Sequence, residues 1–190
     1  NLLNDKVANE LSQLAENPVV VAYGEIGLDF YYDNSPREIQ RKAFVRQIHM
    51  AQDLRLPIII HDRDSDGECL EILKQEGAFQ SAGVLYHCYA SDVAHMYEVV
   101  EAGGHISIPG VVTFKKSDLT RAVAKEVPLD RLHVETDAPF LTPVPLRGRR
   151  NEPCHVALTL DYIADLRGTE PKELAKQCTQ NSMRFFGISG

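Results

Sequence analysis

Four residues have types and positions suited to chemistry: Glu25, His61, His87 and Asp137. Each closes a short apolar or β-branched run. Glu25 follows Tyr23-Gly24, His61 follows Ile58-Ile59-Ile60, His87 follows Leu85-Tyr86, and Asp137 follows Val134-Glu135-Thr136. Two imidazoles and two carboxylates are donors for Zn²⁺, or for Mn²⁺ and Mg²⁺ where oxygen dominates. Singly, each has a plainer role. A lone His after a strand is usually a hydrogen-bonded core or surface group, Glu25 could cap the segment after it, and Asp137 in Thr-Asp-Ala-Pro could form an Asx turn. Yet burying Glu25 and Asp137 unpaired is costly, and neighbouring segments offer no obvious set of basic partners. Four such groups at equivalent strand ends outweigh the separate explanations.

The elements that must position them alternate between short strands and longer helices, the pattern of successive βα units in a parallel sheet. An opening helix, roughly Leu3 to Glu16, leads through Asn17-Pro18 into a strand at Val19–Tyr23. Ser35 as N-cap and Pro36 at the first helical position start a second helix with Ile39, Ala43, Phe44, Ile48 and Ala51 on one stripe. Strands at 58–60, 83–86, 105–108 and 131–136 follow, separated by helices near 66–75, 91–101 and 117–126. Helices at 153–166 and 171–186 close the chain, the last ended by Gly187. These strands are apolar throughout, as when both faces are buried. No linker interrupts them, so one domain over residues 1–190 is expected.

Five parallel strands suit either an open doubly wound sheet or part of a barrel. The dinucleotide-binding G-x-G-x-x-G is absent, and Gly24 and Gly27 read better as room for a close turn beside Glu25. In a barrel, the C-terminal strand ends share one mouth, where the four groups would meet.

The remaining histidines sit elsewhere. His49 and His95 fall within helices, His105 begins a strand and His133 lies inside one, so structural roles are expected for all four. His155 is balanced between a surface helix and a pocket rim. The four cysteines are scattered, without a C-x-x-C pair, which suits free thiols in a reducing cytoplasm. Cys88 beside His87 suggests a Cys/His pair, but strand alternation would turn it to the opposite face, as a core thiol.

The formal net charge of −7 argues against a nucleic-acid module held by bulk basic charge. It argues less against a nuclease, because bound divalent metals supply positive charge. No apolar run reaches a membrane-spanning length. The first residues lack a signal-peptide pattern and begin within an amphipathic helix without a Met, so a processed or truncated start is expected.

At these positions the sequence resembles the TatD family of metal-dependent deoxyribonucleases, among the amidohydrolase-like barrels. The matching segments are Gly24-Glu25-Ile26-Gly27-Leu28-Asp29-Phe30, Pro57-Ile58-Ile59-Ile60-His61-Asp62-Arg63 and His87-Cys88-Tyr89-Ala90-Ser91. They continue as Glu135-Thr136-Asp137-Ala138-Pro139-Phe140-Leu141 and Arg150-Asn151-Glu152-Pro153, in the family's order across nearly the whole chain.

The resemblance implies a TIM-like (β/α) barrel and a binuclear centre of Mg, Mn or Zn that hydrolyses DNA phosphodiester bonds with metal-activated water. Glu25 would bridge the two ions, His61 and His87 would complete one, and Asp137 would ligate the other and handle the water's proton. Arg63 and Arg150, the latter in Arg147-Gly148-Arg149-Arg150, would meet substrate phosphates, since guanidinium binds them bidentately; a solvated loop explains the arginine stretch equally well. Val19–Tyr23 would correspond to the family's fourth strand, so strands four to eight are expected, and the His-x-His pair of the family's first strand is absent. Two other outcomes stand beside DNA cleavage: hydrolysis of a small ester, lactone or amide by the same centre, and a catalytically silent fragment that self-associates through exposed sheet edges.

Overall fold

The computed structural model describes residues 3–188. Five strands form one parallel sheet: β1 (Tyr23–Asp29), β2 (Ile58–Arg63), β3 (Val84–Tyr86), β4 (His105–Ile108) and β5 (Leu132–Val134). Seven α-helices accompany them: α1 (Asp5–Ala15), α2 (Arg37–Asp53), α3 (Glu68–Gln75), α4 (Val93–Glu101), α5 (Asp118–Glu126), α6 (Val156–Arg167) and α7 (Pro171–Phe186). Strand order across the sheet is β1-β2-β3-β4-β5, the same as along the chain. That order separates barrel winding from the doubly wound alternative, which reverses strand order at a switch point.

The main apolar core lies on the one face of the sheet that the helices cover, where in-register strand residues point together. Leu28, Ile58, Ile60, Tyr86, Ile106, Ile108 and Leu132 pack with Phe44 and Ile48 of α2, Leu70 and Leu73 of α3, and Met96 of α4. On the other face Leu85, Ser107 and His133 are buried and Ile59 is half-buried, so the strands read as nearly continuous runs.

Three local expectations need correction. Val19–Ala22 is not a strand: Val19 is 78% exposed, and pairing begins only at Tyr23, whose N–H donates to Pro57 O. Glu25 therefore lies within β1 rather than after it. Gly24 and Gly27 do not make a turn; they let β1 approach β2. A Cβ on Gly24 would stand 2.6 Å from Ile59 Cβ, and one on Gly27 only 1.8 Å from His61 O, with Gly27 also at φ +151°. The start of α2 differs too. Pro36 is its N-cap, accepting from the Ile39 and Gln40 N–H groups, while Ser35 O accepts from Gln40 Nε2 and the Ser35 side chain makes no capping bond.

The four histidines expected to be structural all have structural partners. His49 Nε2 lies 2.6 Å from Glu76 Oε2, and His95 Nδ1 lies 2.8 Å from Tyr89 Oη. His105 and His133 form a relay joining β4, β5 and α7. Arg131 Nη1 donates to His105 Nε2 (3.1 Å), His105 Nδ1 meets His133 Nε2 (2.8 Å), and His133 Nδ1 meets Ser182 Oγ (3.0 Å). Arginine cannot accept a hydrogen bond, so His105 Nε2 must, which puts the protons on both Nδ1 atoms. Burial lowers both groups, His105 to about 4 and His133 to about 3, so both imidazoles are neutral.

Gly187 ends α7 in the left-handed conformation at φ 64°, as its position in the sequence suggests. Among the described residues, no helix is long and apolar enough to cross a membrane.

Candidate metal centre

Glu25, His61 and His87 come from three adjacent strands. One ligand atom from each lies within 4.8 Å of the others. The means of bringing Glu25 into this group is visible in the β1–β2 pairing. Tyr23 pairs with Ile58 and Ile26 with Ile60, so β1 spends one more residue than β2 over this stretch. The extra residue is a bulge beside Glu25, a device that re-aims a side chain at a sheet edge. His61 lies within β2, and His87 immediately follows β3, its N–H donating to Ile60 O.

Glu25 Oε2 lies 2.9 Å from His87 Nε2 and 3.7 Å from His61 Nδ1. The opposite ring nitrogen of each histidine meets a carboxylate. His87 Nδ1 lies 3.0 Å from Glu135 Oε1, and His61 Nε2 lies 3.3 Å from Asp29 Oδ2. A carboxylate on the far nitrogen fixes the ring's tautomer and orientation, the arrangement usual for metal-ligating histidines. Sequence reading missed both supports. Glu135 stands just past β5 and two residues before Asp137, so it leaves the same strand end. Asp29 closes the same Gly-Glu-Ile-Gly-Leu-Asp segment as Glu25.

The charges are strongly coupled. His61 and His87 hold the Glu25 carboxyl well below the usual range. Burial opposes protonation of His87, but Glu135 and Glu25 outweigh it and raise the group to about 10. Glu25 likewise raises His61, against the effect of burial. Each imidazole thus has a carboxylate at both ring nitrogens, so Glu25 is not left without partners.

Asp137 sits three residues beyond β5 in the left-handed conformation (φ 55°), with Oδ1 3.9 Å from His87 Nε2. Burial raises its carboxyl pKa. Asn151 holds this loop: its Nδ2 donates to Thr136 O and Phe140 O at 2.7 and 2.6 Å, on either side of Asp137. The side chain of Asn151 is buried, and its role also escaped the sequence reading.

Cys88 does not follow strand alternation, because β3 ends at Tyr86. It lies at φ 46°, its N–H donates to Glu135 Oε1 at 2.8 Å, and its thiol can form a donor group with His87 and Glu135. It is partly buried rather than a core residue. Burial and the surrounding carboxylates push the thiol up to about 12, so it is protonated at neutral pH.

Arg63, at the end of β2, lines a cavity of about 810 Å³ beside His87. Arg150 is exposed in the loop before Pro153 and lies outside that lining. His155 is half-buried against Asn151, with 2.9 Å between its Nδ1 and Asn151 Oδ1.

A parallel sheet wound in chain order, with histidines and carboxylates at its C-terminal edge, defines a metal-dependent hydrolase of the barrel type. Comparison with known proteins specifies the family. The family model described as TatD related DNase matches residues 2–187, and the chain belongs to this family. The uncharacterized metal-dependent hydrolase YabD of Bacillus subtilis is 42% identical over 94% of this chain and 70% of its own length. A protein named 3'-5' ssDNA/RNA exonuclease TatD from Erwinia billingiae is 37% identical over 96% of this chain and 72% of its own. The crystal structure of YJJV, a TatD homolog from Escherichia coli K12, superposes with a TM-score of 0.90 at 29% identity, covering 98% of this chain and 72% of that one.

Proposed function

We propose that the chain hydrolyses phosphodiester bonds in DNA at a divalent-metal centre built on Glu25, His61 and His87. The observation that carries this reading is the convergence of those three groups, each histidine backed by a carboxylate, with Asp137 beside them. Two imidazoles and one carboxylate make a three-ligand set that leaves room for water or substrate, as in catalytic zinc sites. The residues present therefore fit a metal. The nuclease part rests on family membership and on the activity in the Erwinia billingiae relative's name.

Glu25, His61 and His87 would hold one ion, and Asp137, with Glu25 shared between the sites, would face a second. A divalent ion supplies Lewis acidity that makes water nucleophilic near neutral pH. The chain's own residues do the rest. Glu135 and Asp29 fix the two imidazole rings, so that lone pairs rather than protons face the centre. Asp137, its carboxyl raised by burial, is placed to accept a proton and pass it towards the leaving group. Arg63, and Arg150 from the loop, supply guanidinium for substrate phosphates.

The test is degradation of DNA and RNA by the purified chain with Mg²⁺, Mn²⁺ or Zn²⁺, alongside metal analysis. Metal-dependent cleavage that disappears in His61→Ala and Glu25→Ala is the expected result. A chain that binds divalent metal yet cleaves no nucleic acid, while hydrolysing small esters or lactones, would overturn the substrate assignment and leave the hydrolase centre intact.

A further inference from the structure

We propose that Tyr31 and Tyr32, with Arg63 lodged against both rings, form a base-stacking platform for a single-stranded polynucleotide next to the metal centre. This inference rests on the nuclease reading above and assigns its substrate contacts.

The two tyrosines are adjacent, 59% and 58% exposed, and meet edge to face with ring centroids 4.9 Å apart. An isolated exposed aromatic needs no explanation. Here the Arg63 guanidinium lies 4.3 Å from the Tyr31 centroid and 4.6 Å from that of Tyr32, so three planar groups form one cluster. Arg63 is also electrically distinctive. Arg37 and Arg41 line the same cavity, but Asp33 pairs with Arg37, while Glu38 and Glu68 pair with Arg41. Among the described residues, Arg63 has no carboxylate within ion-pair distance, in a chain of net charge −7. A guanidinium held by aromatic faces keeps its N–H edge free for a phosphate.

The cluster is also anchored to the metal centre. The Tyr31 and Tyr32 N–H groups both donate to Asp29 Oδ1, at 3.1 and 2.9 Å. The other oxygen of that carboxylate is the one facing His61 Nε2. On the opposite strand, Asp29 pairs with Arg63, and Phe30 N–H donates to Arg63 O. One carboxylate thus fixes the orientation of a metal-binding candidate and the turn that presents the aromatic rings.

Two rings, each more than half exposed, beside a cation without a carboxylate partner match a ligand with alternating bases and phosphates. The faces must be accessible, as they are in a single strand and not in a duplex. Base–aromatic stacking tolerates any sequence, so the platform should bind without strong sequence preference.

The experiment uses metal-free protein and fluorescein-labelled oligothymidylate, with an abasic strand of equal length as the second probe. Wild-type protein should bind oligothymidylate at least tenfold more tightly than the abasic strand. Tyr31→Ala with Tyr32→Ala should erase that ratio, whereas Tyr31→Phe with Tyr32→Phe should preserve it. Arg63→Ala should weaken both probes. Equal affinity of wild-type protein for the two strands, or a ratio unmoved by the double alanine change, would overturn the platform even if the enzyme cleaves DNA. Failure to cleave any nucleic acid with any metal would instead overturn the nuclease reading, which this binding ratio does not measure.

Discussion

Glu135 Oε1 stands 3.0 Å from His87 Nδ1 and also accepts the Cys88 N–H at 2.8 Å, so one carboxylate fixes both the ring and the backbone that carries it. Replacing Glu135 by Gln keeps the shape and removes the charge that holds the ring. The expected outcome is a roughly 10- to 100-fold loss of Mn²⁺ or Zn²⁺ affinity, read by titration calorimetry. A thermal melt close to that of the parent would show that the loss is local.

Asn151 should matter to Asp137 without touching a metal. Asn151→Ala removes the hydrogen bonds to the Thr136 and Phe140 carbonyls, each contributing about 0.5–1.5 kcal/mol. We expect stability to fall by about 2 kcal/mol in urea unfolding. Hydrolysis should fall further than stability explains, while the first equivalent of metal still binds at Glu25, His61 and His87.

Gly27→Ala tests the approach of β1 to β2. The added methyl would meet the His61 carbonyl oxygen at 1.8 Å, a backbone atom that cannot step aside. Overpacking typically costs about 1–3 kcal/mol, and a backbone clash this close belongs at the upper end. The expected result is poor recovery of soluble protein, or a large drop in urea midpoint together with lost metal binding. Gly148→Ala is a control at which the new Cβ meets nothing within 4 Å, although its φ of +89° adds backbone strain.

The histidine relay predicts a pH dependence of stability. In the folded chain, burial and the neighbouring His105 push His133 down to about 3. An unfolded imidazole titrates near 6.5. Between those values the unfolded chain holds a proton that the folded chain refuses. The contribution is therefore fully present above about pH 6.5, shrinks as the pH falls, and levels off below the folded value. The limiting slope is about 1.4 kcal/mol per pH unit for one proton. Measured against His133→Asn in thermal melts, the wild-type advantage should shrink steadily from pH 6.5 to 5. A constant difference would refute the buried neutral pair.

Much of this candidate centre can be read in the chain because His61 and His87 come directly after apolar runs. His61 is preceded by buried Ile58 and Ile60, and His87 by buried Val84, Leu85 and Tyr86, and that burial leaves a clear sequence signature. Glu25 stands out by its type although its strand starts four residues later than expected, since Val19-Val20-Val21 imitates a strand while the real β1 contains two glycines. What decides there is how closely two backbones approach, and no side-chain periodicity records it. Glu135 and Asp29 were missed because their function is carried by the second oxygen of a carboxylate and the far nitrogen of a ring. Those relationships exist only once separate strands are paired. The role of Asn151 was hidden for the same reason, since it acts through backbone carbonyls of a loop more than ten residues away.

Because neighbours in the sheet are neighbours along the chain, assembly has a direction. Each strand pairs with the one formed just before it, separated by a single helical connection, which keeps loop closure short for a parallel sheet. During synthesis, the segment bearing Glu25 can pair with that of His61 before the segment of Asp137 has left the ribosome. The proposed metal-binding set would thus be completed late, so that a stalled or prematurely released chain would carry Glu25 and His61 without Asp137.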